Sequence, residues 1–362
     1  MSMAELTGRE RVERMLRRED HDRVPRYDSF WPETVARWES EGLEGGTDGV
    51  LELLQADACQ IGWLELPPFP GRREVVREEG ETRIIRDGFG ALLREWRDRS
   101  GTPEHLGFGC DTRAKWESVY RPSLLANTIQ VDVDAYRSGL ARVRSRGRWA
   151  MFGTIESYEF LKRLVGDEVA LVAMLQDPEW VADMSRTYTD VALANFALLL
   201  EEGIRPDGVF LSADMAYNHG LMFSPATYRA LLRDDAERMI GWFHHHGIAV
   251  WWHGDGNLNE LVDDYIEMGI DMLHPLEVAA DMDLARLMPL YGDRLSFWGN
   301  QDKRIWATND PARIEAHVVE RLRLGMEKRG YGFHSDHSVQ PEVSLDTYRF
   351  ILDLVDRHGR YA

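Results

Sequence analysis

The stretch Ile248-Ala249-Val250-Trp251-Trp252-His253-Gly254-Asp255-Gly256-Asn257 contains the pattern from which the fold is predicted. Its apolar first half predicts a short buried strand, and the residues after it, Leu258 to Met268, have the spacing of an amphipathic helix. Side chains two apart on a strand point the same way, so His253 and Asp255 are expected to project together from the end of the strand. An imidazole beside a carboxylate can bind a divalent metal or transfer a proton. The alternative is that Asp255 orients His253 or caps the following helix.

The same order of apolar strand and helix recurs over most of the chain. Eight strand candidates have helical patterns between most of them: residues 26–30, 60–64, 149–153, 207–212, 248–253, 271–274, 294–298 and 331–335. Such alternation is typical of a parallel sheet covered by helices. Eight units favour a closed (β/α)8 barrel, the TIM barrel, over an open doubly wound sheet. A nucleotide-binding open sheet would also need a glycine-rich phosphate loop after an early strand, and the sequence has none.

Two segments lie outside this repeat. Thr7 begins a helix, with Glu10 at the capping-box position, that runs to about Arg18 and forms an N-terminal extension. Residues 74–86 contain two alternating segments around a Glu-Gly turn, which predicts a β-hairpin. We expect the hairpin and the irregular or helical residues beside it, about 70–146, to be an insertion in a single α/β barrel domain comprising residues 1–362.

Composition excludes several classes of partner. Lysine and arginine number 43 against 62 aspartate and glutamate residues, and the net charge of −19 is unsuitable for nucleic acid or an anionic membrane surface. No apolar run is long enough to span a bilayer, and residues 1–18 lack the apolar core of a signal peptide. Two cysteines, Cys59 and Cys110, cannot make a disulfide framework, which favours a reducing compartment. We therefore expect a cytoplasmic protein that binds a small molecule.

Polar residues follow almost every predicted strand, where a TIM barrel has its active site. They are Asp28, Glu65, Glu156, Asp214, His253, Asp255, His274, Asn300, Gln301, Asp302, Asp336 and His337. Any one of the aspartates or asparagines could simply cap the next helix. Taken together, carboxylates and histidines with few lysines are typical of a cation site. Glu156 either caps a helix or binds a ligand, and Asp214 is expected to face the pocket as a base or a substrate ligand.

Four tryptophans lie beside these residues: Trp31, Trp63, Trp251 and Trp252. They either form barrel core or offer aromatic faces to a small cation or a methoxyarene. An acidic, aromatic pocket favours a neutral or cationic substrate over a polyanion.

Several quoted segments, in this order, resemble the uroporphyrinogen decarboxylase superfamily, which also includes metal-dependent, corrinoid-linked methyltransferases. The segments are residues 6–12, 22–25, 152–156, 220–225 with Asp214, 252–257, 291–295, 299–302 and 335–341. The resemblance implies a (β/α)8 barrel, in agreement with the strand count.

The resemblance separates the two branches of that superfamily. Uroporphyrinogen decarboxylases have an arginine-rich segment after the first strand that pairs with the acidic substrate. Here the matching residues 26–33 have Asp28 and Glu33 in place of those arginines. Because like charges repel strongly in a pocket, we expect that the protein is not an authentic haem-pathway decarboxylase.

The methyltransferase branch has His-x-Cys after the fifth strand and a cysteine after the eighth, which bind zinc. Matched by motif, His253 keeps the histidine, whereas Asp255 and His337 replace the two cysteines. The resemblance thus implies a His-Asp-His site for zinc, iron(II) or manganese(II). The loss of both thiolates leaves the thiol acceptor of that branch in question.

We therefore expect a metal-dependent methyltransferase that moves a methyl group from a small methylated compound to a corrinoid carrier protein or a similar acceptor. In this hypothesis Asp214, His337 and Glu156 are catalytic, and His253, Asp255 and His337 hold the metal. The substrate-binding residues are Asp28, Trp31, Trp63, Trp252 and Gln301. One alternative is a decarboxylase or lyase of a small carboxylic acid that needs no cofactor, with His337 as proton donor. Another is a non-catalytic ligand-binding homologue, and a homodimer remains open.

Overall fold

The computed structural model describes residues 5–361, and a parallel sheet of seven strands lies at their centre. The strands are β1 (Ala58–Leu64), β2 (Glu74–Glu79), β3 (Thr82–Arg86), β4 (Leu92–Trp96), β5 (Glu104–Gly107), β6 (Trp149–Ile155), β7 (Gly208–Ser212), β8 (Ala216–Tyr217), β9 (Gly220–Leu221), β10 (Ala249–His253), β11 (Met272–His274), β12 (Ser296–Trp298) and β13 (Tyr331–Gly332). The spatial order in the central sheet is β1-β6-β7-β10-β11-β12-β13, with every pair parallel. All carboxyl ends of these strands therefore meet at one edge.

Helices connect most of the parallel strands. They are α1 (Gly8–Arg17), α2 (Pro32–Ser40), α3 (Gly46–Leu53), α4 (Arg113–Lys115), α5 (Arg121–Ala126), α6 (Val133–Ser145), α7 (Ser157–Val165), α8 (Asp167–Gln176), α9 (Pro178–Glu201), α10 (Pro225–Leu231), α11 (Arg233–His245), α12 (Val262–Met268), α13 (Leu284–Tyr291), α14 (Lys303–Trp306), α15 (Pro311–Gly325) and α16 (Leu345–His358). Thr7 caps α1 through a capping box with Glu10, as the sequence predicts. Among the described residues, none of these helices combines the length and apolarity that crossing a bilayer requires.

Seven of the eight predicted strands are present, but residues 26–30 do not form a ladder. The segment runs extended between β13 and β1: Phe333 N–H donates to the Pro25 carbonyl (2.8 Å), and Asp57 N–H donates to the Arg26 carbonyl (2.7 Å). Its only pairing is through isolated bridges such as that of Arg26 with Phe333. Proline has no amide hydrogen, and the Arg26 amide donates to the Asp57 carboxylate (2.8 Å) instead of to a strand. The Tyr27 amide still donates to the Phe333 carbonyl (3.2 Å), so the pairing is confined to isolated positions.

The predicted hairpin belongs to a larger sheet. β2 and β3 pair antiparallel, and β4 and β5 extend them into a four-stranded sheet of order β2-β3-β4-β5. The prediction of irregular or helical structure was wrong for β4 and β5. Their register pairs alternating residues such as Leu93 with Ile85, a long-range contact that the local sequence does not display. Thr102, in the loop between β4 and β5, and His105 of β5 line cavities at the edge where the parallel strands end.

The two faces of the parallel strands bury different cores. The inner face packs Trp251 on Trp298, with ring centroids 4.4 Å apart, in a cluster with residues such as Met272 and Trp149. The outer face packs against the helices, and Trp252 lies there with its ring 5.0 Å from that of Tyr265. Because side chains alternate along a strand, His253 shares the inner face with Trp251.

Candidate functional site

A cavity of about 430 Å³ opens at the carboxyl ends of the parallel strands, and we call it the strand-end cavity. Its aromatic lining comprises Tyr27, Trp31, Trp63 and Phe210, and its polar lining includes His253, Asp255, His274, His334 and His337. Among the described lining residues Lys303 is the one lysine, and arginine is absent. A cavity of this size with apolar walls and a few polar groups suits a small molecule.

The end of β10 positions the central carboxylate. His253 lies in register with Ser212 of β7 and His274 of β11. After Asp255 the chain turns at Gly256, whose φ of +84° is a conformation that L side chains rarely adopt. A Cβ at Gly256 would also lie 2.6 Å from the Ala216 carbonyl carbon. Glycine at this turn therefore allows Asp255 to point back toward the strand ends.

Two histidines lie on opposite sides of Asp255. The His253 Nε2 atom is 3.9 Å from Asp255 Oδ1, and the His337 Nε2 atom is 3.5 Å from Asp255 Oδ2. Asp214 Oδ1 lies 3.6 Å from His253 Nε2 and accepts a hydrogen bond from the Asp255 amide at 3.0 Å. The structure thus brings together the three residues predicted to bind metal and adds Asp214.

Within residues 5–361, two sets of three side chains have potential metal-ligating atoms within 4.8 Å of one another. One set is Asp214, His253 and Asp255, and the other is Asp255, Glu277 and His337. We call these five residues the Asp255 cluster. Imidazole and carboxylate donors of this kind suit zinc, iron(II) or manganese(II). The donor set therefore fits the kind of metal that the sequence predicts.

Hydrogen bonding leaves part of the Asp255 cluster free. Within the described chain, Asp255 Oδ1 and His337 Nδ1 are buried atoms that have no hydrogen-bond partner. In the described chain, Asp214 and Asp255 form ion pairs only with histidines, and Glu277 forms none. A half-buried carboxylate without a cationic partner is unfavourable. A bound cation would remove that cost.

Two buried histidines, His274 and His334, form a chain of ring contacts that begins at His253. His253 Nδ1 is 2.8 Å from His274 Nδ1, and His274 Nε2 is 3.3 Å from both ring nitrogens of His334. Burial and neighbouring histidines hold the pKa of His274 well below its usual value, and burial lowers that of His334 to about 3. Both rings are therefore neutral near pH 7. When His253 donates its Nδ1–H to His274, its Nε2 lone pair faces the carboxylates, which is the tautomer that a metal ligand needs.

Neighbouring charges shift the pKa values of two residues of the Asp255 cluster, Asp214 and His337. Burial works to raise the pKa of Asp214, but His253 and Lys162 outweigh it, and the pKa is below the usual aspartate value. Burial works to lower the pKa of His337, but the carboxylates of Asp336 and Asp255 outweigh it, and the pKa is above the usual histidine value. Asp214 is therefore ionised near pH 7, and His337 keeps a proton to a higher pH than an ordinary histidine.

Two predicted site residues are internal. Glu156 is fully buried and caps α7: its carboxylate accepts from the Tyr158 amide at 2.7 Å and from the Ser157 hydroxyl at 2.5 Å. Asp28 is also buried, and it accepts from Ser335 Oγ at 2.6 Å. Neither lines the strand-end cavity, because hydrogen bonds within the fold use both carboxylates. Burial raises the pKa of each to about 7.

The predicted substrate-binding residues divide into two groups. Trp31 and Trp63 line the strand-end cavity, and Trp63 is 39% exposed. Trp252 is fully buried on the outer face of β10, so its prediction as a cavity residue disagrees with the strand's alternation. Gln301 is also fully buried, donates to Tyr331 Oη at 3.3 Å and does not line the cavity.

The sequence interpretation missed Glu277 and His334. Glu277 follows Pro275 and Leu276 in the loop after β11, and its Oε2 atom accepts from the Gly256 amide at 3.0 Å. His334 follows β13 and lies against His274. Glu277 lies three residues after β11, so a longer search past that strand end would have included it, whereas His334 falls inside the predicted strand 331–335, which in the structure ends at Gly332.

Comparisons with known proteins give a family and a fold. The family model described as uroporphyrinogen decarboxylase (URO-D) matches residues 160–358. A solved methyltransferase from Methanosarcina mazei is similar with a TM-score of 0.70, covering 98% of this chain and 99% of that chain at 14% identity, a likeness that concerns the fold alone. A D-psicose 3-epimerase from Clostridium cellulolyticum H10 has a TM-score of 0.35 over 63% of this chain and 81% of that chain, with 10% identity, too low to support an argument. No curated protein matches the chain.

Proposed function

The chain belongs to the uroporphyrinogen decarboxylase (URO-D) family, and from that membership we propose that it is a metal-dependent methyltransferase acting on a small methylated compound. We further infer that residues 24–30, which hydrogen-bond to Phe333 directly after β13 and to Asp57 directly before β1, close the parallel sheet into a (β/α)8 barrel. The likeness in fold to a protein named as a methyltransferase supports this reading of the family.

One observation carries the proposal: the five side chains of the Asp255 cluster lie together without a lysine or arginine ion pair in the described chain, and three of them, His253, Asp255 and His337, line the strand-end cavity. The predicted metal ligands His253, Asp255 and His337 all belong to that cluster. A divalent metal bound there would supply a Lewis acid for the heteroatom that carries the methyl group.

The protein's own groups would bind and orient the substrate. The rings of Tyr27, Trp31, Trp63 and Phe210 line the cavity, with Phe210 stacked on His253 (ring centroids 5.0 Å apart), and would hold a quaternary ammonium or methoxyarene group against an aromatic face. They would also reduce the access of water to the site. The carboxylates disfavour a polyanionic substrate, since the described lining residues include a single lysine, Lys303, and no arginine.

We propose a corrinoid carrier protein, or a similar acceptor, as the destination of the methyl group. Support comes from the sequence resemblance to the corrinoid-linked branch, in which the positions of His253 and His337 correspond to metal ligands. Because thiolates are missing from the Asp255 cluster, a thiol acceptor activated on the same metal is less suited to this site.

The test uses purified protein incubated with zinc, iron(II) or manganese(II), a panel of methylated donors, and cob(I)alamin as acceptor. We expect methylcobalamin to form, detected by its visible spectrum, and the metal-loaded protein to retain at least one equivalent of metal. His253→Ala should lose both properties, whereas His245→Ala, an exposed histidine, should lose neither. The proposal would be ruled out if the loaded protein held less than one equivalent of metal, or if turnover persisted in a strong chelator.

A second candidate is a decarboxylase or lyase of a small carboxylic acid. The elevated pKa of His337 favours it, because a protonated imidazole at the cavity could deliver a proton, and Lys303 could pair with the substrate carboxylate. This reaction needs no metal, so full activity in a strong chelator would select it. Ligand binding without turnover, unchanged by His337→Ala, would instead indicate a non-catalytic homologue.

A further inference from the structure

We propose that the Asp255 cluster binds two divalent cations bridged by the Asp255 carboxylate. The inference rests on the metal site of the proposed function and extends it. His253 and His337, which the sequence places around a single metal, fall into different sets of ligand atoms in the described chain. Each set contains Asp255, one histidine and one further carboxylate.

The orientation of Asp255 is that of a bridge. Its Oδ1 atom faces His253 Nε2 (3.9 Å) and its Oδ2 atom faces His337 Nε2 (3.5 Å). A carboxylate that directs one oxygen to each of two imidazoles can bind one cation per oxygen. Asp214 completes the set on the His253 side, and Glu277 completes the set on the His337 side. Sites with two metals commonly share a ligand in this way and clamp both ends of a reacting bond.

The turn after β10 fixes the two outer carboxylates symmetrically. The Asp255 amide donates to Asp214 Oδ1 at 3.0 Å, and the next amide, that of Gly256, donates to Glu277 Oε2 at 3.0 Å. Two successive backbone donors therefore hold one carboxylate on each side of the Asp255 side chain. Such hydrogen bonds orient metal ligands and raise metal affinity. A single cation bound to either set would leave the other outer carboxylate outside its set of ligand atoms.

The charges also favour two cations. Asp214, Asp255 and Glu277 supply three carboxylates, and across residues 5–361 none of them forms an ion pair with lysine or arginine. Lys162, whose charge acts on Asp214, pairs with Glu159 at 3.0 Å and reaches the Asp214 backbone carbonyl at 3.4 Å. With neutral histidines, one dication leaves a net negative charge of about one on the cluster, whereas two dications leave a net positive charge of about one. The second arrangement would attract an electron-rich heteroatom.

The experiment measures metal stoichiometry and coupling. Full-length protein freed of metal by a chelator is titrated with Zn²⁺ by calorimetry and with Mn²⁺ by electron paramagnetic resonance. We expect two equivalents of Zn²⁺ per chain, and a Mn²⁺ signal that is weakened by spin coupling when the second equivalent binds. Asp214→Asn and Glu277→Gln should each bind one equivalent and show no coupling.

Asp255→Asn should bind neither ion tightly, because it removes the shared ligand. The exposed Glu260→Gln is the matched control for Glu277→Gln and should bind two equivalents. Circular dichroism checks that each variant is folded. If Asp255→Asn does not fold, Glu277→Gln still tests the two-ion site, because Glu277 is partly exposed. One equivalent in the unaltered protein overturns the two-ion site and leaves the proposed function standing, whereas no metal at all overturns both.

Discussion

Replacing His274 with leucine should weaken metal binding about 10- to 100-fold, although His274 does not belong to the Asp255 cluster. His274 is fully buried, and its Nδ1 atom lies 2.8 Å from His253 Nδ1. Leucine fills a similar volume but offers no hydrogen bond, so the His253 ring loses the contact that directs Nε2 toward the carboxylates. An unsatisfied buried donor costs about 1–3 kcal/mol, and about 1.4 kcal/mol corresponds to a tenfold change in Kd.

The assay is a competition titration of the metal-free protein against a chromophoric chelator. His274→Asn, which can keep a polar atom near the Nδ1 position, should recover part of the affinity. His245→Leu, on an exposed histidine, should bind metal like the unaltered protein. A folded His274→Leu protein with an unchanged Kd would refute the argument that His274 orients His253.

Three further predictions concern stability and specificity. Trp252→Ala should lower the free energy of unfolding by about 3–5 kcal/mol in urea titrations, because Trp252 is fully buried, whereas Trp63→Ala should mainly raise the substrate KM; equal stability losses would contradict this placement. Burial raises the pKa of Glu156 to about 7, above its value in the unfolded chain, so ionisation of this group should lower the free energy of unfolding as pH rises from about 4.5 to about 7. Glu156→Gln should reduce this dependence of the unfolding free energy on pH, measured by unfolding at several pH values. An unchanged dependence would exclude a protonated Glu156. Coproporphyrin should bind no tighter than millimolar in a fluorescence titration, because arginine is absent from the described cavity lining, and micromolar affinity would disprove the pocket assignment.

Part of the fold and of the candidate site can be predicted from the local sequence. The period of apolar residues indicates strands and helices, and the order of those elements predicts a parallel sheet whose carboxyl ends form the site. His253 and Asp255 could be placed together because alternation along a strand is a local property. The same alternation assigns Trp252 to the opposite face from His253, so its interpretation as a cavity residue neglected a signal that the sequence contains.

The site as a whole depends on the tertiary structure. Asp214 and Glu277 join the cluster because two backbone amides of one turn hold them there, and the sequence does not display which residues a turn will reach. Glu156 and Asp28 are carboxylates that the sequence predicts at strand ends, like Asp214, but their carboxylates are used by hydrogen bonds inside the fold. Local sequence determines which residues stand at the strand ends, because strand and helix periods are short-range. A cap such as Glu156 is also local, because its partners Ser157 and Tyr158 follow it directly in the chain. Contacts between segments far apart in the chain decide which side chains meet in the Asp255 cluster, because only the packed structure brings Asp214 and Glu277 to the turn after β10.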